Sequence, residues 1–373
     1  MNGERTFLEF FAGGGMARLG LGHGWRCLFA NDSDSMKCAA YRDNFGGDEL
    51  LEGDIGALAA DALPEMRADL AWASFPCQDL SLAGARAGLD GARSGLFFAF
   101  WRLIEGLGER APRLVVVENV PGLLTSKSGA DFAAVVDAMA ATGYRVSAFV
   151  VNAKLFTPQS RPRLFILGLG ADCAPSFAAR PEPDAFAPQS LLDAVDELPA
   201  KCAWAWRWLA VRPQTQRNAS LADIINLGTE DWREDLGAEA LAMMSARQRA
   251  IIDQMLKAGE PRVGAAFRRI RIENGERVQR LEARFDGIAG CLRTPAGGSS
   301  RQRLLFLDGG RVKARLLAPR EAARLMGLPE DYALPARANA ALRLCGDGVA
   351  VPVVRWIAER ILEPALADKA VAA

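Results

Sequence analysis

Ala73-Ser74-Phe75-Pro76-Cys77-Gln78-Asp79-Leu80-Ser81 sets a thiol on a proline turn directly after the apolar run 69–73. Open α/β sheets hold their ligands at the carboxyl ends of such strands. A thiolate there is a nucleophile; otherwise the residue is a small, inert core thiol. A second apolar run, 114–117, ends in Glu118-Asn119-Val120-Pro121 and offers a carboxylate in an equivalent place. Arg161 and Arg163 stand in Pro158-Gln159-Ser160-Arg161-Pro162-Arg163, at the entry to the apolar run 164–167. At alternate positions on one strand they point the same way, toward a ligand or into solvent. His23 is the one histidine, a surface loop residue between Gly22 and Gly24. Multi-histidine metal sites are therefore excluded, and a triad or dyad would have to use this residue. Catalysis falls to Cys, Asp, Glu, Lys, Arg, Tyr or a cofactor.

The start of the chain reads as strand 6–11, the glycine turn Ala12-Gly13-Gly14-Gly15, then a helical run from Met16. This is the opening of a nucleotide-binding α/β unit, or simply a tight strand-to-helix turn. A second strand, 25–30, ends in Asn31-Asp32. Asp32 suits a ribose hydroxyl pair or the N-cap of the helix expected over 33–44. Asp54, in Gly53-Asp54-Ile55, contacts an adenine amino group or caps the next helix.

These groups need a scaffold. The chain has 373 residues, half of them hydrophobic, and zero formal net charge. That is enough for two domains and a large core. The N-terminus does not read as a secretory leader, and no apolar run is long enough to span a membrane. Seven scattered cysteines without a Cys-x-x-Cys pair suit a reduced intracellular protein. Helices are expected at 94–107, where Phe and Trp read as core, and at 131–141, with a strand at 144–151. Residues 174–188 read as a linker. From Lys201 the α/β alternation is lost, with one clear helix at 245–258. Trp204, Trp206 and Trp208 alternate and read as packing. Residues 262–284 hold seven Arg and three Glu, a local excess of positive charge that suits an anionic partner. The polar stretch 297–302, with Arg301, suits a phosphate backbone or a hinge. A short helix at 319–327 and a last one at 353–366 close the chain.

Taken in order, these segments resemble the DNA cytosine-5 methyltransferase family. Phe11-Ala12-Gly13-Gly14-Gly15 is similar to its S-adenosylmethionine loop, and Asp32 and Asp54 to its two cofactor acids. Phe75-Pro76-Cys77-Gln78 resembles its nucleophile loop, and Glu118-Asn119-Val120 its catalytic carboxylate. Gln159-Ser160-Arg161-Pro162-Arg163 resembles its Gln-x-Arg-x-Arg segment, and residues 315–327 its late helix. Gly346-Asp347-Gly348-Val349-Ala350-Val351-Pro352 resembles its closing motif, which usually reads Gly-Asn-Ser. Glu9-Phe10 is a second departure.

The resemblance implies an α/β fold: a Rossmann-like methyltransferase sheet with a smaller target-recognition domain. It places the catalytic and cofactor-binding domain at 1–175 and the recognition domain at 176–318. The late motifs, 319–373, return to the first domain. It implies attack of Cys77 on C6 of a flipped cytosine, with Glu118 at N3. It puts Arg161 at O2 and Arg163 as a brace. Phe11, Ala12, Gly13, Gly15, Asp32, Asp54, Ile55, Pro76 and Asp347 would bind S-adenosylmethionine. Gln78, Ser81, Asn119 and Arg301 would bind DNA. The expected partner is double-stranded DNA, met by a cytoplasmic monomer, with a cognate restriction endonuclease a possible companion. Competing readings are a transfer-RNA cytosine-5 methyltransferase, an inactive DNA-binding homologue, and a nicotinamide-dependent oxidoreductase.

Overall fold

The computed structural model describes residues 4–76, 95–173, 175–213, 215, 217–273, 275–294 and 301–367; Cys77, Gln78 and Ser81 lie outside them. The chain forms two compact units. The first is Met1–Asn152, Pro162–Gln214 and Val353–Ala373; the second is Ala153–Arg161 and Thr215–Pro352.

In the first unit seven strands form one sheet. They are β1 (Arg5–Phe10), β2 (Trp25–Asp32), β3 (Leu50–Glu52), β4 (Leu70–Ala73), β5 (Leu114–Asn119), β6 (Arg145–Asn152) and β7 (Pro162–Leu169). Their order is β3-β2-β1-β4-β5-β7-β6. Every pairing is parallel except the two made by β7. Helices α1 (Met16–Leu21), α2 (Ser35–Phe45), α3 (Leu96–Gly106) and α4 (Ala130–Ala141) alternate with the strands. Val115, Val116 and Val117 are all buried, so β5 is covered on both faces, as parallel sheets require. The α3 aromatics serve as core: Phe97 stacks on Trp101 with ring centres 5.9 Å apart.

The stretch expected to be a linker packs on this unit. β8 (Phe177–Ala178) pairs with β9 (Trp208–Leu209), and the Val146 amide donates to Ala205 O at 2.8 Å. Phe186 stacks on Phe149, centres 4.6 Å apart. Trp206 is buried edge-on against Phe132, and Trp208 packs on it, while Trp204 is exposed. The closing helix also belongs here: Trp25 Nε1 donates to Glu363 at 3.2 Å, and Arg355 donates to Leu21 O. The units part at 152/153, 161/162, 214/215 and 352/353, whereas the resemblance implies boundaries at 175/176 and 318/319.

The second unit holds a four-stranded antiparallel sheet, β11-β10-β12-β13. Its strands are β10 (Arg262–Glu273), β11 (Glu276–Arg284), β12 (Arg303–Asp308) and β13 (Arg311–Leu316). Helices Glu234–Ala242 and Ala246–Ala258 supply Ala240 and Ile252, and the turn between them Met244, to a core shared with Ala266, Leu305 and Val312. Ser245 Oγ accepts from the Gln248 amide at 3.3 Å and caps the second helix. Among the described residues no helix is long and apolar enough to cross a membrane.

Gly237 lets its helix lie against β13: a Cβ there would stand 1.9 Å from Val312 O. Gly237→Ala is expected to destabilise the second unit by about 1–3 kcal/mol, seen as a lower Tm in calorimetry.

Candidate active site

Parallel β1, β2, β4 and β5 end at one edge of the sheet, in register Asn31–Phe10–Ala73–Val117. β7 runs the other way, so its first residues arrive at that same edge. This places the glycine turn, Asp32, Pro76, Glu118 and Arg163 along one border of the first unit.

At the turn, Phe11 takes φ 57°, a left-handed conformation costly for an aromatic residue and typical of ligand-holding loops. Gly13 (φ +57°) has open space where a Cβ would stand. Gly15 (φ +73°) has none, since a Cβ would lie 2.4 Å from the Phe45 ring. The Ala12 amide donates to Asn31 O at 2.9 Å. The Asp32 carboxylate, buried, accepts from the Gly13 amide at 2.8 Å with one oxygen and from the Asp34 amide at 2.8 Å with the other. Asp34, not Asp32, caps α2, accepting from the Met36 and Lys37 amides. Each Asp32 oxygen keeps lone pairs for a ligand hydroxyl. Asn31 Nδ2 donates to Leu51 O (2.9 Å) and Gly53 O (3.0 Å), fixing the loop that carries Asp54. Asp54 accepts from the Gly56 amide at 2.9 Å and caps a short turn whose Ile55 is buried.

The sequence marks Glu9 only as part of a departure from the family pattern, with no role assigned. Its Oε1 accepts from the Arg18 amide of α1 at 3.4 Å, while its Oε2 is buried without a hydrogen-bond partner. Burial pushes the carboxyl up to about 8; the Arg18 amide and guanidinium oppose that, and Asp32 adds to it.

At the other end of the border, Glu118 is 6% exposed and meets Arg163 Nε at 3.0 Å. The register explains the contact. Glu118 faces Phe165 across the β5–β7 ladder, and Arg163 lies two residues before Phe165 on the same face. Asn119 projects the other way. It is buried, Nδ2 donating to Phe75 O at 3.2 Å and Oδ1 accepting from the Val120 amide at 2.8 Å. Expected at DNA, it instead braces the turn that leads through Pro76.

Arg161 does not share the face of Arg163, because β7 begins at Pro162. It is 2% exposed and lies in the second unit. Its Nη1 donates to Leu292 O at 3.1 Å, and its Nη2 to Gly346 O (2.8 Å) and Gly348 O (2.6 Å). The arginine expected at the substrate is a staple for backbone carbonyls, and the expected brace is the one on Glu118. Asp347 accepts from Thr294 Oγ1 and lies 3.8 Å from Arg343, and Arg301 reaches Leu317 O at 3.4 Å; both are in the second unit. No group of three metal-ligating side chains occurs among the described residues.

A family model for C-5 cytosine-specific DNA methylase matches residues 5–363. The chain is 28% identical over 377 residues to the type II methyltransferase M.HpaII of Haemophilus parainfluenzae, covering 96% of this chain and 89% of that protein. It is 26% identical over 357 residues to M.HhaI of Haemophilus parahaemolyticus, covering 95% and 93%. Among solved structures it is similar to the S. pombe Dnmt2 methyltransferase, with TM-score 0.57, 17% identity and coverage of 96% and 99%. It is also similar to a putative DNA modification methyltransferase encoded within an E. coli prophage, with TM-score 0.55, 19% identity and coverage of 96% and 99%. At these identities the structures show a shared fold.

Two predictions follow from the geometry. Arg161→Met is expected to lower stability by about 3–5 kcal/mol, because it strands buried carbonyls. Arg163→Ala should change stability by less than about 1 kcal/mol and cut methyl transfer by roughly a hundredfold or more. Denaturant melts and turnover of both variants check the exchange of roles. For Glu9, the folded pKa of about 8 exceeds the ordinary 4.5, so its protonated form stabilises the fold below about 4.5 and that stabilisation is lost as pH rises through about 8. Thermal melts at about pH 6 and about pH 9 should show a steeper fall for the wild type than for Glu9→Gln.

Proposed function

The chain belongs to the C-5 cytosine-specific DNA methylases, which take their methyl group from S-adenosylmethionine, and from that premise we propose how its own residues run the reaction. The substrate is cytosine in duplex DNA, methylated at C5 within a short target sequence. The observation that carries the reading is the contact of Glu118 with Arg163 at the ligand edge of the sheet. On the same strand, Asn119 fastens the carbonyl of Phe75, two residues before Cys77.

S-adenosylmethionine, when bound, would supply an electrophilic methyl group, its sulfonium sulfur keeping the electron pair of the broken S–CH3 bond as a neutral thioether. The turn fits it: open space at Gly13, a left-handed Phe11, the Asp32 carboxylate for ribose hydroxyls, and an unpartnered Glu9 oxygen behind the turn. Asp54 and Ile55 suit the adenine edge.

Cytosine C5 is a weak nucleophile. The Cys77 thiolate forms a bond to C6, and the ring electrons move toward N3 and O2 and gain density at C5. Glu118 holds the N3 edge with a proton or hydrogen bond, and Arg163 stands at the developing charge on O2. C5 takes the methyl group, its proton leaves to a base, and the C6–S bond breaks to return the thiolate. The base must first leave the duplex, at a cost of a few kcal/mol that contacts to DNA offset. We further propose a cytoplasmic monomer in the setting of the type II relatives, with a cognate endonuclease.

The testing experiment is transfer of labelled methyl from S-adenosylmethionine to unmethylated duplex DNA, with bisulfite sequencing of the product. Protected cytosines in one short context are the expected result; label in transfer RNA alone overturns the DNA reading. Cys77→Ala should abolish transfer and keep DNA binding, and any residual turnover removes Cys77 as nucleophile. Glu118→Gln should lower kcat about a hundredfold or more with cofactor affinity unchanged.

A further inference from the structure

β10 pairs with β12 only over Arg262–Ala266. From Phe267↔Glu282 to Glu273↔Glu276 it pairs with β11 alone. This leaves a two-stranded ribbon about 20 Å long. Such a ribbon is marginal in water unless something else holds it. Its two faces differ. On one, Arg269 and Arg271 pair with Glu282, and Arg280 with Glu273, so the charges are met internally. On the other, Ile270 lies opposite Gln279 and Ile272 opposite Arg277. Ile270 is 60% exposed and Ile272 77%, the largest apolar exposures in the second unit. Among the described residues Arg277 has no carboxylate partner. Apolar β-branched side chains at a bare ribbon end, edged by Gln and Arg within an Arg-rich segment of a neutral chain, call for an anionic partner that also offers methyl groups.

We infer that this ribbon enters the major groove of duplex DNA, with Ile270 and Ile272 against the C5 methyl groups of thymines and Gln279 and Arg277 on neighbouring base edges. The major groove admits a two-stranded ribbon, and in it the thymine methyl is an apolar landmark that no other unmodified base presents. Gln and Arg pair there with adenine and guanine edges. The inference rests on the duplex-DNA reading above and names the residues that set its sequence preference.

A random-sequence duplex library, methylated by the wild type and by an Ile270→Ser/Ile272→Ser variant, gives the preference at each position around the modified cytosine. The variant should keep methylating, with discrimination for thymine at one or two positions reduced about tenfold. Replacing those thymines by uracil, which lacks the methyl group, should weaken the wild type about as much and leave the variant unchanged. An unaltered profile, or indifference of the wild type to uracil, overturns the inference. Gel shifts on the thymine and uracil duplexes decide the ribbon without turnover, so a wild type that binds with thymine preference yet transfers no methyl group counts against the activity and for the ribbon. Sedimentation completes the test: a wild-type dimer split by the variant would assign this face to a second copy and overturn the DNA assignment. Equal melting curves for the two proteins confirm that both are folded.

Discussion

The contact between Glu118 and Arg163 depends on one strand running against its neighbours. In a wholly parallel sheet, the border that carries the ends of β1, β2, β4 and β5 would receive only strand ends. β7 reverses the direction and delivers a strand beginning there. The antiparallel ladder then places residue 163 diagonally across from residue 118, within hydrogen-bond reach and with both side chains largely buried. A carboxylate and a guanidinium so placed are mutually oriented before any substrate arrives. The same ladder sends Asn119 to the opposite face, where its amide secures the turn after β4. Adjacent residues on β5 thus point to opposite faces, Glu118 to Arg163 and Asn119 to the turn.

The glycine-turn end follows a different logic. Its acids do not simply project at a ligand. Asp32 ties the glycine turn to the start of α2 by two amide contacts, and Glu9 fastens α1 from beneath. The loop geometry, including the left-handed Phe11, is therefore imposed by buried carboxylates. The turn can hold a strained conformation because its surroundings over-determine it. That leaves the backbone face at Gly13 open to a ligand without a side chain to displace.

Much of this was legible before any coordinates. The apolar runs before Asp32, Pro76 and Glu118 are long enough to specify buried strands, and a buried strand specifies where its ending residue lies. What failed was local. Alternate spacing makes Arg161 and Arg163 look equivalent, but the equivalence holds only inside a strand, and the strand starts at Pro162. One residue earlier, the chain is already committed to the second unit, where Arg161 spends its donors on carbonyls near the closing motif. Asn119 was misread for a related reason: the motif gives its position but not its face. Residues 174–188 read as a linker because proline and alanine carry little periodicity, yet Phe186 anchors the stretch by stacking on Phe149, and β8 pairs with β9. Cys77, Gln78 and Ser81 lie outside the described residues, and their roles rest on the sequence.

The two units also differ in what their sequences are free to vary. Groups that share reacting electrons must be held within a fraction of an ångström, which rigid buried strands provide and exposed loops do not. Glu118 and Arg163 sit in a sheet whose neighbouring valines and phenylalanines permit few substitutions. The β10–β11 ribbon is joined through its backbone ladder, and Ile270, Ile272, Gln279 and Arg277 are exposed on it. Changing Ile270, Ile272, Gln279 or Arg277 costs little fold energy, since none is buried. A surface of that kind can be rewritten for a new sequence preference while the chemistry stays constant.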